Sequence, residues 1–556
     1  MSHATVVFHE PATRPPLAPA VGVFLCRCAA SWRSAFDAAI GPWLAQPGPA
    51  VAVVMRDDLC RAPDRAVEPY RHAALQGAVI AACAERAGLA AILRREGLRP
   101  WAIHSLDLAA LADLAGDSLP IARQLDAAVI RLRARLRASS EHVAVAYGLP
   151  GERGDRRDLL HALLAPTYRL LPAVDGQRCQ AGQGCRLCLQ ACPAQALRLQ
   201  AGRLTVHTDA CTACGACLTA CPASAIAWPG QDLADLDAQL GALLHVEGAS
   251  HAPRLILTCA GRLQTPPPQR ADAGPMPEVA AVLALPCAAA ISAALLLRAV
   301  ERGAPGVEVR CCADVCPQGH DRGRIRRTVG VATQVLTALG LGHGRLTLVE
   351  GGAEGDAVAS VALTAAIAPV PLGSDGPPQG YMPSSGQDLR LPAILGRLRA
   401  ASGSSAAVIA GDDVPGGQVR VQGEGSCTLC GVCTQVCPTQ ALTLAPEAQA
   451  ETLRFSHARC VGCSLCVESC PEHILRLERM LDLDDLAGPP RVLARAEVMR
   501  CRRCHQPLAP ASMLARVQQA LGALAPDKRW DLQQWCAGCR LANSLSAVGG
   551  DREGQA

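Results

Sequence analysis

The chain has 556 residues, half of them apolar but only 3% aromatic, and a net charge of +4 in which all but one of the 53 basic side chains are arginine, Lys528 being the exception. A chain this long exceeds one hydrophobic core and predicts about three to five domains. Few aromatics and a small net charge argue against nucleic acid as a partner. Twenty-nine cysteines, with no apolar signal segment ahead of them, predict metal ligation in a reducing, cytoplasmic setting and not a disulfide framework.

Residues 1–20, rich in proline and alanine, read as a flexible leader. From 21 to 140, the apolar runs VGVFLCRC, AVAVVM and GAVIAAC alternate with helical stretches, which predicts an α/β domain. Cys26, Cys28, Cys60 and Cys83 fall at strand ends or in the loops that follow, where ligands gather in open sheets. They are either four ligands of one metal centre or buried thiols; two cysteines flanking Arg27 favour the metal. The segment IARQLDAAVIRLRARLRAS closes the domain, with Arg131, Arg133, Arg135 and Arg137 expected on a solvated helix face. At GVFLCRC, DDLCRAPDRA and GAVIAACAERAGLAAILRREGLRPW the domain resembles the N-terminal domain of the heterodisulfide reductase A subunit. It departs at Arg27 and Ala29, where that family carries His and Gly. A further iron-sulfur cluster is the expected cofactor here.

Residues 173–230 carry two cysteine runs, each closed by proline: Cys179, Cys185, Cys188, Cys192, and Cys211, Cys214, Cys217, Cys221. The second is the bacterial ferredoxin spacing, in which three thiolates hold one 4Fe-4S cluster and the fourth crosses to its neighbour. The expected sets are therefore Cys179, Cys185, Cys188 with Cys221, and Cys211, Cys214, Cys217 with Cys192. Zinc is the competing metal for tight cysteine runs, but two complete runs with proline after each last cysteine favour clusters. QAGQG between Cys179 and Cys185 lengthens the first run, and its glycines let the loop bulge.

Over 251–350 a second strand-cysteine-helix series delivers Cys259, Cys287, Cys311, Cys312 and Cys316 to one sheet edge. The uncharged stretch Val279–Leu297 is near membrane-spanning length, yet Pro286 and Cys287 split it into a strand-like and a helix-like half, so a buried strand, turn and helix is expected. RLILTC, VAAVLALPC, GVEVRCC and CADVCPQGHDRGRIRRTVGVATQVLTALGLGHGRLTLVE resemble the small, delta-type iron-sulfur subunit of methyl-viologen-reducing hydrogenase. Ala288 stands where a glycine is usual. The resemblance implies a 2Fe-2S cluster on Cys259, Cys287, Cys316 and one of Cys311 or Cys312.

Residues 351–420 read as a linker with one helix, DLRLPAILGRLRA. Residues 421–480 repeat the ferredoxin module with regular spacing. Its expected sets are Cys427, Cys430, Cys433 with Cys470, and Cys460, Cys463, Cys466 with Cys437. Over 490–545 the knuckles of Cys501 and Cys504 and of Cys536 and Cys539 predict a structural zinc, since neither has the third cysteine of a cluster run; a fifth cubane or a single iron are the alternatives.

The fold class is thus multidomain α/β: two cysteine-bearing α/β domains, two ferredoxin-like modules and a small helical zinc-knuckle module. No strand-GxGxxG-helix element, Walker run or catalytic triad spacing is present. A non-catalytic electron-transfer subunit is expected. Its four 4Fe-4S clusters, 2Fe-2S cluster and zinc would serve a flavin- or molybdenum-containing oxidoreductase, such as a formate dehydrogenase or heterodisulfide-reductase-like flavoenzyme, without a membrane span. The competing reading is a scaffold or assembly factor that does not turn over electrons.

Overall fold

The computed structural model describes residues 5–8, 20–27, 40–41, 43–45, 51–59, 62–67, 75–82, 86–108, 111, 121–137, 143–146, 167–244, 253–259, 280–311, 322–350, 389–405, 408–423, 427–524 and 535–541. Two compact units arise: residues 1–179 with 186–405, and residues 180–185 with 406–556.

The first unit opens with a five-stranded sheet. Its strands are β1 (Thr5–Phe8), β2 (Val21–Cys26), β3 (Val51–Arg56), β4 (Gly77–Ala82) and β5 (Ile103–Asp107), in the order β1-β3-β2-β4-β5. All pairings are parallel except β1 on β3. VGVFLC and GAVIAA are buried at every position, as strands covered on both faces require. Helix α1 (Arg86–Arg95) packs Leu89 and Leu93 against Phe24 and Ile80 on one face, and α2 (Ile121–Arg137) packs Leu125 and Leu132 against Val23 and Val79 on the other. A side chain at Gly77 would sit 2.9 Å from Leu136 and 3.0 Å from the Ala102 carbonyl oxygen, so glycine sets how closely α2 approaches. Thr5–Phe8 lies in the stretch expected to be a flexible leader. Its β-branched TVVF pairs with Ala52–Met55 and supplies the antiparallel edge strand.

A ferredoxin module follows, with short helices over Leu187–Ala191 and Ala216–Ala220 and a hairpin of Leu197–Gln200 with Arg203–Val206. Helix α3 (Leu233–Leu244) then runs against α2 and leads to the second α/β sheet. That sheet holds β6 (Arg254–Cys259), β7 (Ala280–Leu285), β8 (Val307–Cys311) and β9 (Leu346–Glu350), all parallel, in the order β7-β6-β8-β9. Helices α4 (Ala293–Glu301) and α5 (Arg322–Ala338) complete it. The stretch near membrane length is indeed a strand, a turn and a helix: Ser292 caps α4, its hydroxyl accepting from the Leu295 N–H at 3.2 Å. Among the described residues no helix is long and apolar enough to cross a membrane.

Asp237 on α3 is fully buried and ties this helix to α4. Arg298 Nε and Arg302 Nη2 donate to its two oxygens at 2.7 and 2.6 Å. Arg298 also pairs with Glu301 at 2.7 Å, and Glu301 accepts from Arg397 on the helix Leu391–Ser402.

In the second unit Leu442–Pro446, Ala450–Phe455, Arg491–Arg500 and Pro507–Pro510 form an antiparallel four-stranded sheet. Of the stretch expected to be a linker, residues 351–388 lie outside the described residues, and the rest departs from that reading only at its end. It forms the expected helix Leu391–Ser402, and its end supplies strands Val408–Ala410 and Gln418–Val421, paired with Met480–Asp482 and Leu475–Glu478. Their alternating VIA and QVRV patterns close the ferredoxin core instead of bridging to it. Likewise Arg491–Arg500 is at once a strand of the ferredoxin-side sheet and the lead into Cys501, so the C-terminal module is an extension of that sheet.

Candidate metal centres

Each cysteine-proline pair makes the same turn. The N–H three residues on donates back to the cysteine carbonyl: Gln195 to Cys192, Ser224 to Cys221 and Gln440 to Cys437, each at 3.2 Å, and His473 to Cys470 at 3.1 Å. The donors are all left-handed, with φ of 48, 49, 54 and 52°. In three of the four, the next N–H reaches the cysteine sulfur: Ala196 to Cys192 Sγ at 3.3 Å, Ala225 to Cys221 and Ala441 to Cys437 at 3.2 Å. An N–H aimed at sulfur stabilises the thiolate and tunes the potential of whatever the thiolate holds.

The three regular runs share a second signature. The residues flanking the middle cysteine are left-handed: Ala213 and Gly215 (55 and 78°), Leu429 and Gly431 (55 and 77°), Gly462 and Ser464 (67 and 64°). Non-glycine residues hold this conformation at a cost of about 1 kcal/mol each, and such strain gathers at functional sites. Alternating hand turns successive N–H groups to one side, making a concavity suited to an anionic cluster with its thiolates. The long first run keeps only Gly184 (100°), whereas Arg186 after Cys185 has φ of −132°. Its bulge, residues 180–185 with Cys185, groups with the second unit.

In the second module one cavity is lined by Cys427, Cys430, Cys433 and Cys470, and another by Cys437, Cys460, Cys463 and Cys466. These are the two crossed sets expected from the spacing. Burial, then the neighbouring sulfurs, pushes Cys433 and Cys466 up to about 12 and Cys460 to about 11. In the first module burial raises the Cys217 thiol, and Cys214, Cys211, Cys192 and Cys188 add to the rise in that order. Thiols gathered on one cavity, buried or half-buried apart from the exposed Cys430, ionise together only with a cation among them, so these pockets suit a metal cluster.

Cys259, Cys287 and Cys311 lie at or just beyond the carboxyl ends of adjacent strands β6, β7 and β8, and all are buried. Cys287 shares an apolar cluster with Cys214 of the first ferredoxin module, together with Ala216, Trp228 and Ala289. Thr219 Oγ1 donates to the Ala289 carbonyl at 3.4 Å, and Arg324 on α5 donates to the Ala216 carbonyl at 3.2 Å, fastening the module to this domain.

Near the C-terminus the sulfurs of Cys501, Cys504, Cys536 and Cys539 all lie within 4.8 Å of one another. The Cys536 N–H donates to Cys501 Sγ at 3.3 Å; with the Cys504 N–H it holds the Cys501 thiol at about 6. His505, left-handed at φ 58°, returns its N–H to the Cys501 carbonyl at 2.9 Å and so serves the turn of the knuckle. A single tetrahedral ion with metal-sulfur bonds of about 2.3 Å needs sulfurs about 3.8 Å apart, and this tetrad fits it.

Cys26 is buried at the end of β2. Cys28, Cys60, Cys83, Cys312 and Cys316 lie outside the described residues. The arginine-rich face of α2 departs from expectation. Arg131 and Arg135 are 7% and 9% exposed, turned inward beside Gln124, while Arg137 remains on the surface. The signal was present in the spacing, since Arg131 and Arg135 follow Ala128 and Leu132 by one helical turn and share their buried side.

Residues 178–225 and 426–474 each match the family model of the 4Fe-4S dicluster domain, and residues 271–365 match that of the methyl-viologen-reducing hydrogenase delta subunit. No curated protein matches the chain. Two dicluster domains and a hydrogenase-related delta-subunit domain support a multi-cluster electron-transfer protein with redox partners.

Proposed function

We propose that the chain is a cytoplasmic relay subunit passing single electrons along a row of iron-sulfur clusters to or from a flavin- or molybdenum-containing oxidoreductase. The observation that carries this reading is the apolar cluster shared by Cys214 and Cys287, which puts thiols of the first dicluster module and of the delta-like domain in one buried core with Trp228. Hopping needs closeness and exclusion of water, and this core supplies both. Four 4Fe-4S clusters would be held by the crossed cysteine sets. Cys259, Cys287, Cys316 and one of Cys311 or Cys312 would hold a 2Fe-2S cluster, and the tetrad at Cys501 a structural zinc. Cys26, Cys28, Cys60 and Cys83 would hold one more cluster in a domain of the heterodisulfide reductase A type. Bound clusters supply the redox chemistry; the protein's part is to place the thiolates, aim N–H groups at them and keep water out.

Anaerobic purification with iron, sulfide and zinc counting tests the reading, followed by reduction with dithionite under electron paramagnetic resonance. About eighteen irons and one zinc are expected, or about twenty-two irons with the N-terminal centre filled. Fewer than about sixteen irons in intact protein, or clusters that dithionite cannot reduce, would sink it. Replacing Cys287 with serine should remove or alter the 2Fe-2S signal and leave the four cubane signals in place.

A further inference from the structure

Between α2, the end of β5 and the end of β7 lies a cavity of about 420 Å³ that neither the clusters nor the zinc site uses. Its volume falls in the range of small-molecule pockets. It runs along the edge strands β5 and β7 and reaches their carboxyl ends, where open α/β sheets bind ligands.

The polar lining is built and underused. Arg131 and Arg135 sit one turn apart on α2 and both face the cavity. Arg131 Nε donates to Gln239 Oε1 at 2.8 Å; Arg135 reaches the Trp101 carbonyl only at 3.5 Å, and its Nε has no hydrogen-bond partner among the described residues. Neither forms an ion pair among the described residues. Gln124 and Gln231, 3% and 4% exposed, also line the cavity, and Gln124 Nε2 and Gln231 Oε1 have no hydrogen-bond partner among the described residues. A buried polar atom without a partner is costly, and two buried guanidinium groups facing each other more so. Asp107 is the one carboxylate among the described lining residues, against two arginines, so their net charge is positive. Burial, then each guanidinium, holds His104 well below the usual imidazole value, so it adds no charge at neutral pH. Leu106, Leu111, Val282 and Leu285 form an apolar wall opposite.

We propose that this cavity binds a small organic oxyanion, a carboxylate or phosphate monoester on a short apolar body, through Arg131, Arg135 and Gln124. The anion would neutralise the arginine pair, Gln124 Nε2 would donate to it, and its carbon chain would cover the leucine wall. Thr212 and Ala213, between Cys211 and Cys214, line the same cavity, so the ligand would lie against a cluster-binding loop.

Isothermal titration of the anaerobically purified full chain with butyrate, n-butyl phosphate and n-butanol tests this. Saturable one-to-one binding of at least one oxyanion is expected, with n-butanol weaker by tenfold or more, and the two anions distinguish carboxylate from phosphate. Arg135→Gln should weaken the better anion by about tenfold or more, the worth of one hydrogen bond to a charged group. Gln124→Leu removes an already unpaired donor, should fold normally and should weaken binding by several-fold. No saturable binding by either anion, equal binding of n-butanol, or unchanged affinity in both variants would overturn the proposal. The iron count and the cluster spectra of the same samples are read separately, so the relay can fail while the anion site stands.

Discussion

The sulfur of Cys504 lies 3.6 Å from that of Cys536, across two knuckles whose cysteines are 32 residues apart. That distance matches the edge of a tetrahedron around one metal ion at about 2.3 Å and is too short for the corners of a cubane. One tightly held ion per chain is expected at this tetrad, and cobalt substitution should give the visible spectrum of a tetrahedral tetrathiolate. Cys539→Ser should lower zinc content by one equivalent with the iron count unchanged. Iron loss in that variant, or cobalt in an octahedral site, would show the assignment to be wrong.

Gly215 and Gly431 occupy the same left-handed position in two cysteine runs, yet they should respond differently to alanine. At Gly215 a Cβ would meet the Trp228 ring at 2.6 Å and the Ala290 side chain at 2.8 Å, whereas at Gly431 it would meet a Leu444 methyl at 3.1 Å and the Thr434 hydroxyl at 3.9 Å. Gly431→Ala should cost about 1 kcal/mol, the price of the backbone alone. Gly215→Ala should cost several-fold more and release iron on mild heating, as followed by the cluster absorbance. Equal loss in both variants would exclude the packing explanation.

Asp237 accepts from two arginines while fully buried, so Asp237→Asn leaves guanidinium charge facing a neutral amide. A loss of about 3–5 kcal/mol is expected. Hydrogen exchange of the α3 and α4 amides is the measurement of choice, because a multidomain chain has no single unfolding free energy.

His104 gives the first unit a pH dependence of definite sign. Its folded value is lowered by burial and then by Arg131 and Arg135. Above about 6.5 the ring is neutral in both states and its environment adds no penalty. As pH falls through that value the unfolded chain gains a proton that the folded chain resists, so stability is lost. Between pH 7.5 and 5.5 the amides of β5 should exchange progressively faster, and His104→Gln should flatten that trend. A trend of the opposite sign would mean that His104 is charged in the folded protein.

The cysteine runs are legible in the sequence because ligation there is local. In the regular runs three thiols within seven residues, a fourth followed by proline and small residues between them dictate the turns at Cys221, Cys437 and Cys470 almost independently of the rest of the chain. The parallel sheets were equally readable from apolar runs such as VGVFLC and VAAVLAL, since strands covered on both faces leave no room for polar alternation. The burial of Arg131 and Arg135 was only half legible: their spacing puts them on the side of Ala128 and Leu132, but an arginine there is solvated unless something is packed over it. What packs there is α3, Trp101 and the segment through Gly230, with its backbone against Arg135, at separations of tens of residues or more. The sequence by itself determined which thiols act together in the regular runs; only tertiary packing decided that Cys287 meets Cys214 in one core and that two cations line a cavity. Ligand spacing is short-range covalent geometry, whereas burial is a sum over contacts between segments distant in the chain.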